Sequence, residues 1–205
     1  MTIGEKILKE AGKLFEVAGA TVLVDGHFLL ILGLESNIER NLDLFGQKSG
    51  RFMLYGFQKH VAPRLDLLVN YIHKLDYYAE PVKRYGYPLK GEINLKNEAI
   101  RAGLGKRGKN SVVLHPIYGP RLRFTAIRTK ATFEFAPTSE FVETENPACQ
   151  YCHICLDVCT TRVLAPYRML DPWQCLSNIT TQDAAGYSIL CDKCLTQCPA
   201  GISRR

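Results

Sequence analysis

Apolar positions along the first part of the chain follow two rhythms in turn. Ile7, Leu8, Ala11, Leu14, Phe15 and Ala18 share one face of a helix, and Thr2 stands three residues before Glu5, the spacing of a capping box. This pattern predicts a first helix over residues 3 to 18, ending at Gly19. Ala20 to Val24 and Phe28 to Leu34 then read as β-rich runs, joined by Asp25-Gly26-His27 as a hairpin turn. Val61, Leu65, Leu68, Val69, Ile72 and Leu75 return to helical spacing behind Pro63, a residue suited to a first helical turn. Residues 94 to 102 predict a third helix, and Ser111 to Leu114 and Arg123 to Thr129 predict strands. Residues 35 to 59 keep neither rhythm: Gly46, Gly50 and Gly56 alternate with Arg51, Phe52, Tyr55 and Phe57. They read as an irregular loop anchored by aromatics, or as a loop covering a ligand.

The last quarter changes character, because all eight cysteines lie between Cys149 and Cys198. Cys149, Cys152, Cys155 and Cys159 have the C-x2-C-x2-C-x3-C spacing of bacterial ferredoxins, in which the fourth thiol reaches the other cluster. Cys191, Cys194 and Cys198, followed by Pro199, repeat that motif without its first cysteine, and Cys175 is the thiol left to complete it. The spacing predicts a ferredoxin-like module over residues 146–205 with two 4Fe-4S clusters. Cys149, Cys152, Cys155 and Cys198 hold the first, and Cys159, Cys175, Cys191 and Cys194 the second. Two zinc sites would need separated pairs of cysteines for each metal, and the run from Cys149 to Cys159 is too dense for that. A disulfide framework is disfavoured by the same spacing. Thr160 stands where the first motif would carry proline, a position that shapes the turn and does not ligate. Leu176 to Thr181 and Asp183 to Leu190 read as spacer, and residues 130 to 148 as the connection into the module.

Composition places the chain among soluble globular proteins: 205 residues, 46% apolar and 22% charged. The expected division is residues 1–145 and 146–205. No 18-residue apolar run and no cleavable leader occur, so a cytoplasmic protein of a reducing or anaerobic cell is expected. The formal charge of +6 hints at nucleic acid. Two oxidised clusters with their thiolates would contribute about −2 each, which takes most of that excess away, and nucleic acid is not expected as a partner. A local basic stretch remains, Arg101, Lys106, Arg107, Lys109, Arg121, Arg123, Arg128 and Lys130. It reads as a solvated face balancing cluster charge or as a site for an anionic ligand.

The segment from Ala102 to Asn110 contains Gly103, Gly105 and Gly108, which let a backbone approach a bulky partner. Its G-x-G-x-x-G spacing matches the dinucleotide fingerprint formally. It follows a helix and precedes a strand, however, the reverse of the context that fingerprint requires. Phosphate binding of the Walker type also fails, for no G-K-[ST] is present.

With its A-G-L-G-x-x-G-K-N segment, its Tyr118-Gly119-Pro120-Arg121 turn and its eight cysteines around Cys175-Leu-Ser-Asn-Ile-Thr-Thr, the chain resembles the epoxyqueuosine reductase and reductive dehalogenase superfamily, as a short divergent member. The similarity runs from about Leu95 to Ala200. The resemblance implies an α+β protein: a nitroreductase-like, cobalamin-binding α/β domain followed by a ferredoxin-like double 4Fe-4S module. It further implies that Gly103, Leu104, Gly105, Gly108, Lys109 and Asn110 line a corrinoid. Epoxyqueuosine reductases carry an acidic proton donor in an Asp-Ser stretch before the glycine loop. This chain reads Pro88-Leu89-Lys90-Gly91-Glu92 there.

The function expected is a corrinoid-dependent iron-sulfur reductase, or a reductive activator of a corrinoid, fed by a low-potential donor such as ferredoxin or flavodoxin. A corrinoid protein or a small molecule would be its substrate, and no membrane partner is expected. Candidate proton donors are Tyr55, Tyr87, Tyr118 and Glu92. The alternatives are a non-catalytic electron carrier, a flavin-binding reductase and a transfer-RNA binder whose affinity falls steeply with salt.

Overall fold

A computed structural model of the chain describes residues 1–48, 51–82, 93–134, 136–137, 141–182 and 187–201. In order come α1 (Ile3–Leu14), β1 (Val17–Val22), β2 (Phe28–Glu35), β3 (Leu44–Lys48), β4 (Arg51–Met53), α2 (Tyr55–His60), α3 (Ala62–His73), β5 (Ala79–Pro81) and α4 (Leu95–Arg101). There follow β6 (Lys106–Arg107), β7 (Val113–Leu114), β8 (Leu122–Thr129), α5 (Ile154–Asp157), β9 (Leu164–Ala165), β10 (Arg168–Met169), α6 (Pro172–Ser177), β11 (Ile179–Gln182), β12 (Ser188–Leu190) and α7 (Lys193–Thr196). This mixture of helix and strand separates into two compact units. One comprises residues 1–34, 61–105 and 123–142, the other 35–60, 106–122 and 143–205. Both are discontinuous in sequence, and the second draws residues 35–60 and 106–122 from the stretch before residue 145. Among the described residues, no helix is long and apolar enough to cross a membrane.

The first unit is built on a sheet of order β1-β2-β8-β5. β1 and β2 pair antiparallel from Val17↔Gly33 to Val22↔Phe28. Their turn closes as the sequence indicates, with Gly26 at φ 79° and the Asp25 carboxylate accepting the His27 N–H at 3.0 Å. Leu29, Leu30, Ile31 and Leu32 are all 0% exposed, so β2 is covered on both faces. That is why its sequence reads as one unbroken apolar run without alternation. α1 packs on β1 and α3, and α3 on β5, burying Ile7, Ala11, Leu68 and Ile72 completely. The capping box is present: Glu5 N–H donates to the Thr2 hydroxyl, and Thr2 N–H to the Glu5 carboxylate at 2.8 Å. The helix expected to reach residue 18 stops at Leu14, because Val17 and Ala18 are drawn into pairing with Gly33 and Leu32. Tertiary pairing overrides the helical spacing at that end.

The second unit carries a sheet of order β11-β12-β3-β4. Two expectations are corrected by it. Residues 35 to 59 are not an irregular loop, since they supply the β3–β4 hairpin and α2. Residues read as spacer before and after Gln182 form the β11–β12 hairpin, with a bulge between Ile179 and Thr181. The join is antiparallel pairing of β12 with β3, Ser188↔Phe45 and Ile189↔Leu44, between segments far apart in sequence. Two glycines in this region mark close approach. A Cβ on Gly56 would lie 2.0 Å from the Asn41 carbonyl oxygen, and one on Gly46 would lie 2.9 Å from the Tyr55 ring.

Candidate metal centre

Short turns hold the cysteines. Cys149 ends a 3-10 turn, Pro147–Cys149, whose capping residue Asn146 accepts the Ala148 N–H at 3.0 Å and whose Asn146 carbonyl accepts the Cys149 N–H at 2.8 Å. Cys155 lies in α5, Cys159 just beyond it, Cys175 in α6 and Cys194 in α7. Cys198 follows α7, with its N–H donated to the Leu195 carbonyl.

Cys149, Cys152, Cys155 and Cys198 line one cavity of about 110 Å³, several times the roughly 30 Å³ share of one water. Burial pushes the Cys155 thiol up to about 11, and the thiols of Cys198, Cys149 and Cys152 push it the same way. Cys194 is raised to about 12 by burial, followed by the thiols of Cys175, Cys191, Cys155 and Cys159. The neighbours of Cys155 are thus the other three of the first four thiols named, while those of Cys194 include Cys155 as well as Cys175, Cys191 and Cys159. Thiols raised this far are neutral near pH 7, and any metal they bound would displace their protons. Burial also raises Cys159, but the Thr161 hydroxyl and the N–H groups of Val163, Leu164 and Thr161 outweigh it and lower the thiol. No disulfide joins any of the eight. Among the described residues, no three ligating side chains stand close enough together for a single metal ion. The four thiols around the cavity are a soft, sulfur-only donor set.

The glycine segment is two structures. Gly103, at φ 76°, closes α4: its N–H reaches the Ile100 carbonyl while Leu104 N–H reaches Ala99, the double bond of a Schellman cap. A Cβ on Gly103 would meet open space. β6 and β7 then form a hairpin, Arg107↔Val113, with Lys109 and Asn110 at its tip. Lys109 Nζ donates to the Gln150 carbonyl at 3.2 Å, and Asn110 Nδ2 to the Cys194 carbonyl at 3.1 Å. Both side chains line the cavity of the first quartet. A Cβ on Gly108 would press on Asn110 Oδ1 at 2.6 Å and on Leu114.

Much of the basic stretch is engaged internally and is not a solvated face. Arg101 pairs with Glu98 at 2.8 Å, Arg107 with Glu143, and Arg121 with Glu35 at 2.7 Å. Of the candidate donors, Tyr55 stacks on Tyr187 with ring centroids 4.4 Å apart. Tyr118 lies in a turn closed by His115 N–H and Gly119 N–H, with its ring 5.3 Å from that of His115. Tyr87 and Glu92 lie outside the described residues.

Several residues of the centre escaped the sequence reading. Asn146 Nδ2 donates to the Lys106 carbonyl, tying the Cys149 turn to β6. Asn178 accepts the Cys191 N–H on its carbonyl and donates its side-chain amide to the Thr160 hydroxyl at 2.8 Å. Thr160, in the place of a proline, thereby links the Cys159 turn to the Cys175 segment. Only its position after a cysteine motif signalled it.

No protein-family model matches the chain. An epoxyqueuosine reductase of Bacillus anthracis is 29% identical over 119 residues, 53% of this chain and 30% of that protein. One of Listeria monocytogenes is 31% identical over 120 residues, again 53% and 30%. The chain therefore spans about a third of the length of the curated relatives it matches. Among solved structures, epoxyqueuosine reductase from Streptococcus thermophilus superposes with a TM-score of 0.67 at 18% identity, covering 98% of this chain and 66% of that one. A catabolic reductive dehalogenase in complex with 3-bromo-4-hydroxybenzoic acid gives 0.53 at 15% identity, covering 91% and 27%.

Proposed function

We propose that this chain, a member of the superfamily of epoxyqueuosine reductases and reductive dehalogenases, is an iron-sulfur reductase that passes single electrons from two 4Fe-4S clusters toward a corrinoid. The observation that supports this most directly is the convergence of Cys149, Cys152, Cys155 and Cys198 on one cavity. The second quartet is supported by the neighbours of Cys194. On this reading the second unit contains the ferredoxin-like module and the first is the nitroreductase-like half.

The chain's own residues place the clusters. Short turns present the thiolates, Lys109 and Asn110 fasten the two cysteine stretches to one hairpin tip, and Thr161 with nearby N–H groups stabilises charge on Cys159. A corrinoid, when bound, supplies a cobalt centre that can collect and use two electrons. Fit to that group is uneven. Gly103 offers bare backbone beside open space, whereas the Lys109 and Asn110 side chains are committed to the cysteine stretches and Gly108 is packed from within.

A second reading is a pure electron carrier. It is favoured by the partly exposed thiols of the second quartet, which would admit electrons readily. A related epoxyqueuosine reductase has been solved with a transfer-RNA stem loop. The internal pairing of Arg101, Arg107 and Arg121 argues against carrying that partner over. The deciding experiment is electron paramagnetic resonance on anaerobically reconstituted protein, with iron and sulfide quantified, before and after addition of cob(II)alamin. Reduced-cluster signals with a changed cobalt spectrum are expected. Clusters with an unperturbed cobalt spectrum would leave the carrier, and absence of clusters would remove both readings.

A further inference from the structure

A lysine stripped of water is costly unless negative charge lies close to it. Lys109 is 7% exposed and its side chain lines the cavity of the first quartet. Its Nζ donates to the Gln150 carbonyl, a neutral acceptor that orients the ammonium without cancelling its charge. Among the described residues, no carboxylate forms an ion pair with it. Next to it, Asn110 reaches the Cys194 carbonyl through a neutral amide. The hairpin tip thus presents a cation to the first quartet and only a dipole to the second cysteine stretch.

We infer that Lys109 is a tuning residue that selectively raises the reduction potential of the cluster held by Cys149, Cys152, Cys155 and Cys198. This rests on the reading that the quartets hold 4Fe-4S clusters. An added electron makes a cluster more negative, and a fixed positive charge beside a buried site stabilises that state with little screening. The charge is set at the first site, whose cavity the Lys109 side chain lines. Cys149, Cys155 and Cys198 are buried and Cys152 is partly buried, while Cys159, Cys175, Cys191 and Cys194 are all partly buried. Cys159 also has the Thr161 hydroxyl 3.6 Å from its sulfur.

The test is a potentiometric titration followed by electron paramagnetic resonance on the full chain as wild type, Lys109→Gln and Lys109→Arg, with iron and sulfide measured in each. Glutamine can still donate to the Gln150 carbonyl but removes the charge. Repeating the titration in a Cys175→Ser background, where only the first site is complete, assigns the signals. The expected result is full cluster content in Lys109→Gln with the first cluster's reduction equilibrium constant lowered about tenfold, which is about 59 mV for one electron. The second cluster should not move, and arginine should restore the wild-type value. No shift, an equal shift at both clusters, or loss of iron from the first site with glutamine would each overturn the inference. Wild-type protein that assembles no 4Fe-4S cluster would remove the underlying reading before any variant is compared.

Discussion

The two units are stabilised by different means. The first has a conventional apolar interior, in which Ile7, Leu29, Leu30, Ile31, Leu32, Leu68, Ile72 and Ile127 are essentially inaccessible. The second has a smaller one, to which Leu42, Val113, Leu122 and Val163 contribute. Its buried residues include Leu114, Cys149 and Cys198 in one small cluster, with Val112 and Ala200 packed against it, and its most deeply buried large side chain among those described is the polar Asn110. Tyr151, Leu170 and Trp173, which could have served a core, are mostly exposed at 89%, 62% and 68%. The difference teaches that thiols share the interior of the second unit with apolar side chains, as Cys149 and Cys198 do with Leu114. If the quartets bind clusters as proposed, part of its folding free energy is expected to come from metal binding, as in small metallo-domains.

The largest effect should follow from removing iron. Chelation under reducing conditions is expected to abolish hydrogen-exchange protection in α5, β11, β12 and α7 while β2 and α3 stay protected. Uniform loss across both units would mean that the chain has one cooperative core and would erase the contrast. Next in size is Cys175→Ser. It should leave about half of the cluster iron, that of the quartet which includes Cys198. Equal depletion of both clusters in folded protein would refute the assignment of Cys175 to the second quartet. Leu68→Ala probes the other unit, where Leu68 is 0% exposed. A cost of about 2–5 kcal/mol is expected by denaturant unfolding of the first unit, with iron content per folded chain unchanged.

The same contrast governs how much was legible in the sequence. In the first unit, burial dictates local pattern, so α1, β2 and α3 could be read from spacing, and Thr2 and Pro63 marked helix starts. The failure there, at Val17 and Ala18, occurred where the strand partner decided the conformation. In the second unit the cysteines announced themselves by chemistry, but the sheet around them did not. Leu44 and Phe45 pair with Ile189 and Ser188, and neither stretch carries a period that points to the other. The glycine segment showed a further limit. Three glycines in six residues suggested a ligand loop, yet Gly103 serves a helix cap and Gly108 makes room for Asn110 and Leu114. Spacing reveals glycines that permit unusual backbone, without showing whether a ligand or the chain itself uses them.

The smallest effect, and the sharpest for the comparison, is expected at Asn110. It is 2% exposed, its Nδ2 donates to the Cys194 carbonyl, and its Oδ1 accepts the Val112 N–H at 3.4 Å. Asn110→Ala would leave that carbonyl without its donor in a buried setting, at a cost of about 1–3 kcal/mol. If metal dominates the second unit, iron-loaded protein should absorb this loss with little change in chelator-resistant iron, because the thiolate–iron bonds still fix α7. The apo form should lose residual structure in α7 and release its hairpin tip, read as faster exchange at Leu195 and Thr196. A loss of the same size in loaded and iron-free protein would instead show that polar side chains, and not metal, hold the second unit together. The two units would then differ in the polarity of their cores and not in their dependence on metal.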